Sequence, residues 1–223
     1  MGPFFFGRIM NVVLFGSTGL VGNLVTKNLI NDDKIINLIL VTRTPTKFKA
    51  QKILNIVDPN LIIKEIPFSI DAAICTLGST IKKAGSKEAF KNVDLDLVIS
   101  TAKNVQQFNC PHFLVISSQG ASSDSLIFYS KIKGMMEREL IKLNFSKLTI
   151  LRPGLLVGDR EELRMGEAAF IHLIKIINPI LVGPLKSMKG NKVESVAKCL
   201  CDLLDRKDNG IKILEQLDIL NYF

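Results

Sequence analysis

The stretch Ile9-Met10-Asn11-Val12-Val13-Leu14-Phe15-Gly16-Ser17-Thr18-Gly19-Leu20-Val21-Gly22 decides the fold. A mostly apolar run makes a strand, and three glycines spaced by three follow it directly. Such a turn needs glycine because the chain bends sharply, a phosphate approaches the backbone, and the next helix seats closely against the sheet. The helix N-terminus then offers free N–H groups to an anion. The segment therefore predicts strand, dinucleotide-binding turn and helix, with Gly16, Ser17, Thr18, Gly19, Leu20, Val21 and Gly22 around a pyrophosphate. A glycine pattern by itself is weak, and the flanking strand and amphipathic helix give it weight. No lysine followed by Ser or Thr comes after the glycines, which excludes a mononucleotide P-loop.

Outward from this segment, strand-like runs recur at 35–41, 53–57, 72–76, 113–117 and 148–151, with helix-period segments between most of them. A doubly wound parallel α/β sheet in the order 3-2-1-4-5-6 is the natural solution. The run 61–66 also resembles a strand, but it ends only a few residues before the strand at 72. In this order strand three must cross two neighbours to reach strand four, so 61–66 cannot be strand three. Residues 53–57 take that place, and Asp58-Pro59 predicts an N-cap and first turn of a short helix through about Ile66. Asp58 then stands at the cofactor end of the sheet, either as a plain cap or as an acceptor for an adenine amino group. The 42–50 connection is near the minimum for a parallel crossover, which leaves the second helix vestigial.

Residues 84–108 read as one crossover helix, with Phe90, Val93, Leu97, Val98 and Thr101 at helical spacing. Asn92 lies on that helix. After the sixth strand the chain predicts only a small cap: a helix over about 161–177, a turn at Asn178-Pro179, a helix over 192–204 and a C-terminal tail. The whole of 1–223 reads as one domain, with 155–223 supplying the cap.

The 223 residues are 47% hydrophobic and 22% charged, which suits one α/β core. The net charge of +8 comes from lysines dispersed among acids, without an arginine-rich run or stacking aromatics. That pattern argues against nucleic-acid or membrane-surface binding and for an anionic ligand plus solvated surface. Cys75, Cys110, Cys199 and Cys201 have no CxxC spacing, and the two histidines, His112 and His172, lie in apolar contexts. No metal site is expected. Free buried thiols point to a reducing compartment, read here as the cytoplasm. Phe4 to Phe6 are too short a run for a signal peptide, and no stretch reads as a membrane span.

Strand two ends Val41-Thr42-Arg43-Thr44, where an acid would bind the ribose hydroxyls of NAD. Arg43, with Thr44, suits a 2′-phosphate instead and favours NADP(H) over NAD(H), although a solvated loop arginine has the same sequence. After strand five come Ser117-Ser118-Gln119-Gly120-Ala121 and then Tyr129-Ser130-Lys131-Ile132-Lys133-Gly134. Tyr129 and Lys133 are four apart and share a helix face. An ammonium so placed stabilises a phenolate, and the phenol can exchange a proton with a carbonyl or alcohol oxygen. A serine at the adjacent strand end can orient that oxygen.

These segments resemble the short-chain dehydrogenase/reductase superfamily of Rossmann folds, in its atypical branch of NAD(P)H-binding proteins related to the Tat-interacting oxidoreductase-like proteins. The resemblance covers nearly the whole chain. It rests on Gly16, Gly19 and Gly22, Cys75-Thr76-Leu77-Gly78-Ser79-Thr80 with Lys83-Ala84-Gly85, the Ser-Ser-Gln-Gly-Ala segment, and Tyr129 with Lys133-Gly134. Arg152-Pro153-Gly154, Gly158-Asp159-Arg160, Arg164 and Gly166-Glu167 continue it. It implies a nicotinamide cofactor across the strand ends, with Leu77-Gly78 against its ribose and Pro153, Gly154, Leu155 and Leu156 near the carboxamide. Lys133 would also bind the ribose, Tyr129 would be the acid/base, and Ser118 would orient substrate. Ser117 is a near-equal claimant, since its spacing to Tyr129 is close to the classical interval. Some members use an asparagine in a proton relay, and the resemblance makes Asn92 a candidate for that role.

The short cap leaves little room for a nucleotide sugar, and Arg160, Arg164 and His172 are its polar candidates near the cleft. The leading expectation is an NADP-dependent reductase or dehydrogenase acting on a small molecule as a monomer or homodimer. The alternative is an NADPH-binding redox sensor that regulates a protein partner without turnover.

Overall fold

The computed structural model of the chain describes residues 9–157 and 190–221. Its strands are β1 (Met10–Phe15), β2 (Ile35–Thr42), β3 (Ile53–Val57), β4 (Ala72–Cys75), β5 (His112–Ile116), β6 (Lys147–Arg152), β7 (Leu156–Val157), β8 (Asn191–Lys192) and β9 (Gly210–Glu215). One parallel sheet runs β3-β2-β1-β4-β5-β6-β9, and β7 pairs with β8 apart from it. The helices are α1 (Leu20–Ile30), α2 (Ile81–Ala84), α3 (Lys87–Lys91), α4 (Val98–Gln107), α5 (Phe128–Lys142), α6 (Val193–Asp202) and α7 (Gln216–Leu220). A π-helical turn, Asn92–Leu97, joins α3 to α4.

Side-chain alternation along the central strand builds both layers. Val13 and Phe15 of β1 join Phe90, Val98, Phe113 and Met136 on one face of the sheet. Val12 and Leu14 join Val25, Leu29, Val196 and Leu200 on the other. Every residue of β1 and β4 is buried, as expected of strands covered on both faces.

The expected order 3-2-1-4-5-6 is present and is extended by β9 beside β6. Gly210–Glu215 is a strand where the sequence predicts a tail. Ile211, Ile213 and Leu214 are apolar, but only Leu214 of its residues is buried. Parallel pairing from Lys147 to Arg152 holds it in place.

The helix predicted over 59–66 is not formed. Leu61 adopts φ +59, which interrupts a right-handed helix, and Leu61 and Ile63 are buried as loop residues. Asn104 of α4 binds both backbone groups of Ile63, at 2.8 Å from its N–H and 3.1 Å to its carbonyl. That side chain supplies the hydrogen bonds a helix would have supplied. The placement of 53–57 as the third strand stands.

The crossover helix predicted over 84–108 is present as one helical run over 87–107, in which the π turn joins α3 to α4, and the short α2 precedes it. Gly85 ends α2 in the left-handed region, and Ser86 caps α3 by accepting from the Ala89 N–H. Residues 43–52 contain no helix between β2 and β3, in line with the short connection. The helix predicted over 161–177, with Arg160, Arg164 and His172, lies outside the described residues.

Candidate active site at the carboxyl ends of the strands

The glycine turn closes on itself at the end of β1. Gly19 N–H donates to the Gly16 carbonyl at 2.9 Å, and Gly16 has φ +87. A β-carbon at Gly22 would stand 2.1 Å from that carbonyl oxygen, so only glycine lets α1 sit this near the turn. Thr76 fixes the arrangement from β4: its hydroxyl lies 3.0 Å from the Phe15 oxygen and 3.1 Å from the Gly16 oxygen. Ser17 is buried with a hydroxyl that has no partner among the described residues, while Thr18 is exposed. Leu20 and Val21 begin α1, whose first N–H groups face outward from the sheet end.

Ser117 and Ser118 follow β5 and are 3% and 8% exposed, and neither hydroxyl has a partner among the described residues. Buried hydroxyls without partners are costly, and three of them around one sheet end suit a polar ligand. The loop that carries them is folded tightly onto α5. A β-carbon at Gly134 would lie 2.1 Å from the Ser122 carbonyl carbon, and Ser122 N–H donates to the Ser130 carbonyl at 3.1 Å.

Helix α5 brings Tyr129, Lys133 and Glu137 onto one stripe. The Tyr129 ring packs on Phe90 at 5.3 Å between centroids, which seats the phenol against α3. Lys133 is buried, and its ammonium stands 2.8 Å from Asp94 Oδ1 and 3.4 Å from the Ile116 carbonyl. Burial disfavours this charge, but Asp94, Tyr129 and Cys75 outweigh it and raise the lysine pKa above its ordinary value. Lys133 is therefore a fixed cation at neutral pH. Burial pushes the neighbouring Cys75 thiol up to about 11, so it stays protonated.

Glu137 is buried and receives Arg152 Nε at 3.0 Å and Nη2 at 2.5 Å, while Arg152 Nη1 reaches Glu215 at 2.7 Å. This pairing ties α5 to the ends of β6 and β9. Beyond it, Pro153 is buried, Gly154 N–H donates to Asn191 Oδ1 at 2.8 Å, Leu155 is exposed and Leu156 enters β7. Leu77 is half-buried and Gly78 exposed in the loop after β4.

Arg43 and Thr44 lie exposed just beyond β2. Asp58 is across from them: its N–H donates to the Thr42 carbonyl at 2.9 Å, and its Oδ1 accepts from Asn60 N–H at 2.8 Å and Ile62 N–H at 3.1 Å. The geometry gives Asp58 the work of a turn cap. Asn92, expected as a relay group, is exposed, and Asp94 takes the buried position instead. The signal for Asp94 was on the page of residues: it falls four after Phe90 and four before Val98, a charge on an otherwise apolar stripe. Glu137, Arg152 and Asn191 were also missed as supports, because their partners are remote in sequence.

A parallel sheet with a glycine turn after its first strand, orphaned hydroxyls at strand ends and a Tyr-Lys helix defines a Rossmann-type protein of the short-chain dehydrogenase class. The family model HIM1 matches residues 33–180. The chain belongs to the HIM1 family, an atypical member of that class.

Among its relatives, Protein FMP52, mitochondrial, from Eremothecium gossypii is 30% identical over 95% of this chain and 96% of its own. A second FMP52 protein, from Meyerozyma guilliermondii, is 34% identical over 68% of this chain and 67% of its own. Protein HTATIP2 from Rattus norvegicus is 31% identical over 70% and 67%. The fold recurs in a short chain dehydrogenase family protein from Francisella tularensis, with a TM-score of 0.63, 14% identity, and coverage of 96% and 100%. MoeE5, solved with UDP-glucose and NAD, aligns with a TM-score of 0.65 at 14% identity, over 92% of this chain and 75% of its own.

These relatives correct one expectation. The FMP52 proteins among them are named mitochondrial, which overturns the cytoplasmic reading. Free cysteines separate reducing from oxidising surroundings and carry no further address. No helix among the described residues is long and apolar enough to cross a membrane.

Proposed function

We propose that the protein is an oxidoreductase that uses NADP(H) to interconvert a small carbonyl compound and its alcohol. The observation that most supports this is the juxtaposition of Tyr129 and the buried Lys133 ammonium on one face of α5, on the segment following the unpartnered Ser117 and Ser118 hydroxyls. NADP(H), when bound, supplies or accepts the hydride. The residues from Gly16 to Gly22, Leu77-Gly78 and Pro153 to Leu156 would hold it, with Arg43 and Thr44 at the 2′-phosphate. Tyr129 gives its phenolic proton to the substrate oxygen in reduction and recovers it in oxidation. Ser118, with Ser117 the near-equal claimant, donates a hydrogen bond that orients that oxygen. Lys133 stabilises the phenolate left behind and keeps N–H donors for a ribose hydroxyl. Asp58 serves the turn.

The test is to titrate the purified protein with NADPH and NADH and then follow NADPH absorbance with a panel of aldehydes and ketones. The expected result is tighter NADPH than NADH binding and measurable turnover. Tyr129→Phe should keep the cofactor affinity and lose about 10²- to 10⁴-fold in turnover. Undiminished turnover in that variant removes Tyr129 from the chemistry, and equal affinities remove the phosphate reading of Arg43. Cofactor binding by the native protein without turnover on any carbonyl supports the redox-sensor alternative.

A further inference from the structure

Asp94 is fully buried, and each of its carboxylate oxygens has a different duty. Oδ1 stands 2.8 Å from Lys133 Nζ, and Oδ2 accepts from the Ser79 N–H at 2.8 Å. Gly78 lies directly over the pair: a β-carbon there would stand 3.3 Å from Asp94 Oδ1 and 3.7 Å from Lys133 Nζ. The carboxylate therefore touches both the α5 cation and the loop that follows β4. It is carried by the π-helical turn that joins α3 to α4. The charged and titratable groups that face Lys133 are Asp94 from this turn, Tyr129 from its own helix and Cys75 from β4. Glu137, one turn on, is engaged by Arg152. Asp94 is thus the one carboxylate paired with this ammonium among the described residues.

We propose that Asp94 is a positioning residue: one side chain fixes both the Lys133 ammonium and the Gly78-Ser79 backbone, and so builds the dinucleotide-facing wall of the site. This inference rests on the cofactor reading above. Without the carboxylate, burial opposes the Lys133 charge with only Tyr129, Cys75 and the Ile116 carbonyl left to favour it, and the lysine loses its proton at a lower pH than in the native protein. The Asp94→Asn side chain keeps the shape and an acceptor for Ser79 while removing the charge.

The experiment uses the full chain and reads NADPH affinity between pH 6 and pH 8.5, together with thermal midpoints without cofactor. Asp94→Asn is expected to bind NADPH about as well as the native protein at pH 6 and at least tenfold more weakly at pH 8.5. The native protein should change far less over the same range. The double variant Asp94→Asn with Lys133→Gln, which leaves no buried charge, should bind weakly at both pH values and unfold at a higher temperature than Lys133→Gln alone. A folded Asp94→Asn protein with native NADPH affinity at both pH values overturns the proposal. If Asp94→Asn does not fold, equal midpoints of the double variant and Lys133→Gln overturn it. A native protein that binds neither NADPH nor NADH contradicts the cofactor reading instead, and the comparison of midpoints still tests the pairing.

Discussion

The two ends of the sheet both bury polar groups, and they treat them in opposite ways. At the amino end, His112 of β5 meets the Thr149 hydroxyl at 2.9 Å. Arg206 saturates the same corner: its Nη1 donates to Thr149 Oγ1 at 3.1 Å and the Leu148 carbonyl at 3.3 Å, and its Nη2 to the Asn209 and Gly210 carbonyls at 3.1 and 2.8 Å. Lys147 Nζ closes the set on the Arg206 carbonyl at 2.6 Å. At the carboxyl end, Ser17, Ser117 and Ser118 keep buried hydroxyls with no partner among the described residues. Burial of polar groups therefore does not mark a site in this protein. What distinguishes the carboxyl end is a cluster of buried hydroxyls without a partner among the described residues, Thr42 among them, which polar groups of a bound ligand can satisfy; at the other end Arg206 Nε, also without a hydrogen bond, is paired with Asp208 at 3.0 Å.

The contrast can be broken by substitution at each end. The largest stability effect is expected at the amino end: Arg206→Ala should cost about 3 kcal/mol or more in urea unfolding, since several buried acceptors lose a charged donor together. NADPH affinity at a temperature where the variant remains folded should be unchanged, and a parallel loss of affinity would show the two ends to be coupled.

A pH effect follows from His112. Burial, followed by the charges of Arg206 and Lys147, lowers its pKa from 6.5 to about 4. The fold thus favours the neutral ring, so its contribution is fully present above pH 6.5 and is lost as pH falls from 6.5 toward 4. The loss should reach about 3 kcal/mol, and His112→Gln should flatten the stability profile over that window. A native profile that is already flat there contradicts the assignment of a neutral buried ring.

The smallest effect carries the opposite sign. Ser118→Ala should leave the free protein as stable or up to about 1 kcal/mol more stable, because it deletes a buried hydroxyl that has no partner. Turnover in the same variant should fall. A clear loss of stability instead would place Ser118 among the structural polar groups, with Thr149 and Asn104.

Much of this was legible in the sequence, for identifiable reasons. Strands β1, β2, β4, β5 and β6 announced themselves because central parallel strands are apolar on both faces, the edge strand β3 by its own apolar run, and the starts and ends of all six fall within two residues of the expected ones. The glycine turn was legible because Gly16 and Gly22 answer to local backbone geometry. β9 was not, although Ile211, Ile213 and Leu214 are apolar: its place beside β6 is fixed by Arg206 and by Arg152 with Glu215, the latter pair 63 positions apart. The 58–66 loop was misread because Asp58-Pro59 is a sound local helix start, and the decisive partner, Asn104, is 41 positions away from Ile63. Asp94 stands on the inward stripe by its four-residue spacing from Phe90 and Val98, but the partner that gives it a role, Lys133, lies 39 positions away. Tertiary partners decided each of these cases.

Hydrogen exchange of backbone amides with and without saturating NADPH tests the central claim most directly, since it reads both ends of the sheet in one sample. The expected result is slower exchange over 16–22, 77–80 and 117–119, with no change at Lys147, Arg206 or Gly210. Absence of saturable protection at the carboxyl end, or protection confined to the amino end, would contradict the assignment of the orphaned hydroxyls and the glycine turn to a dinucleotide site.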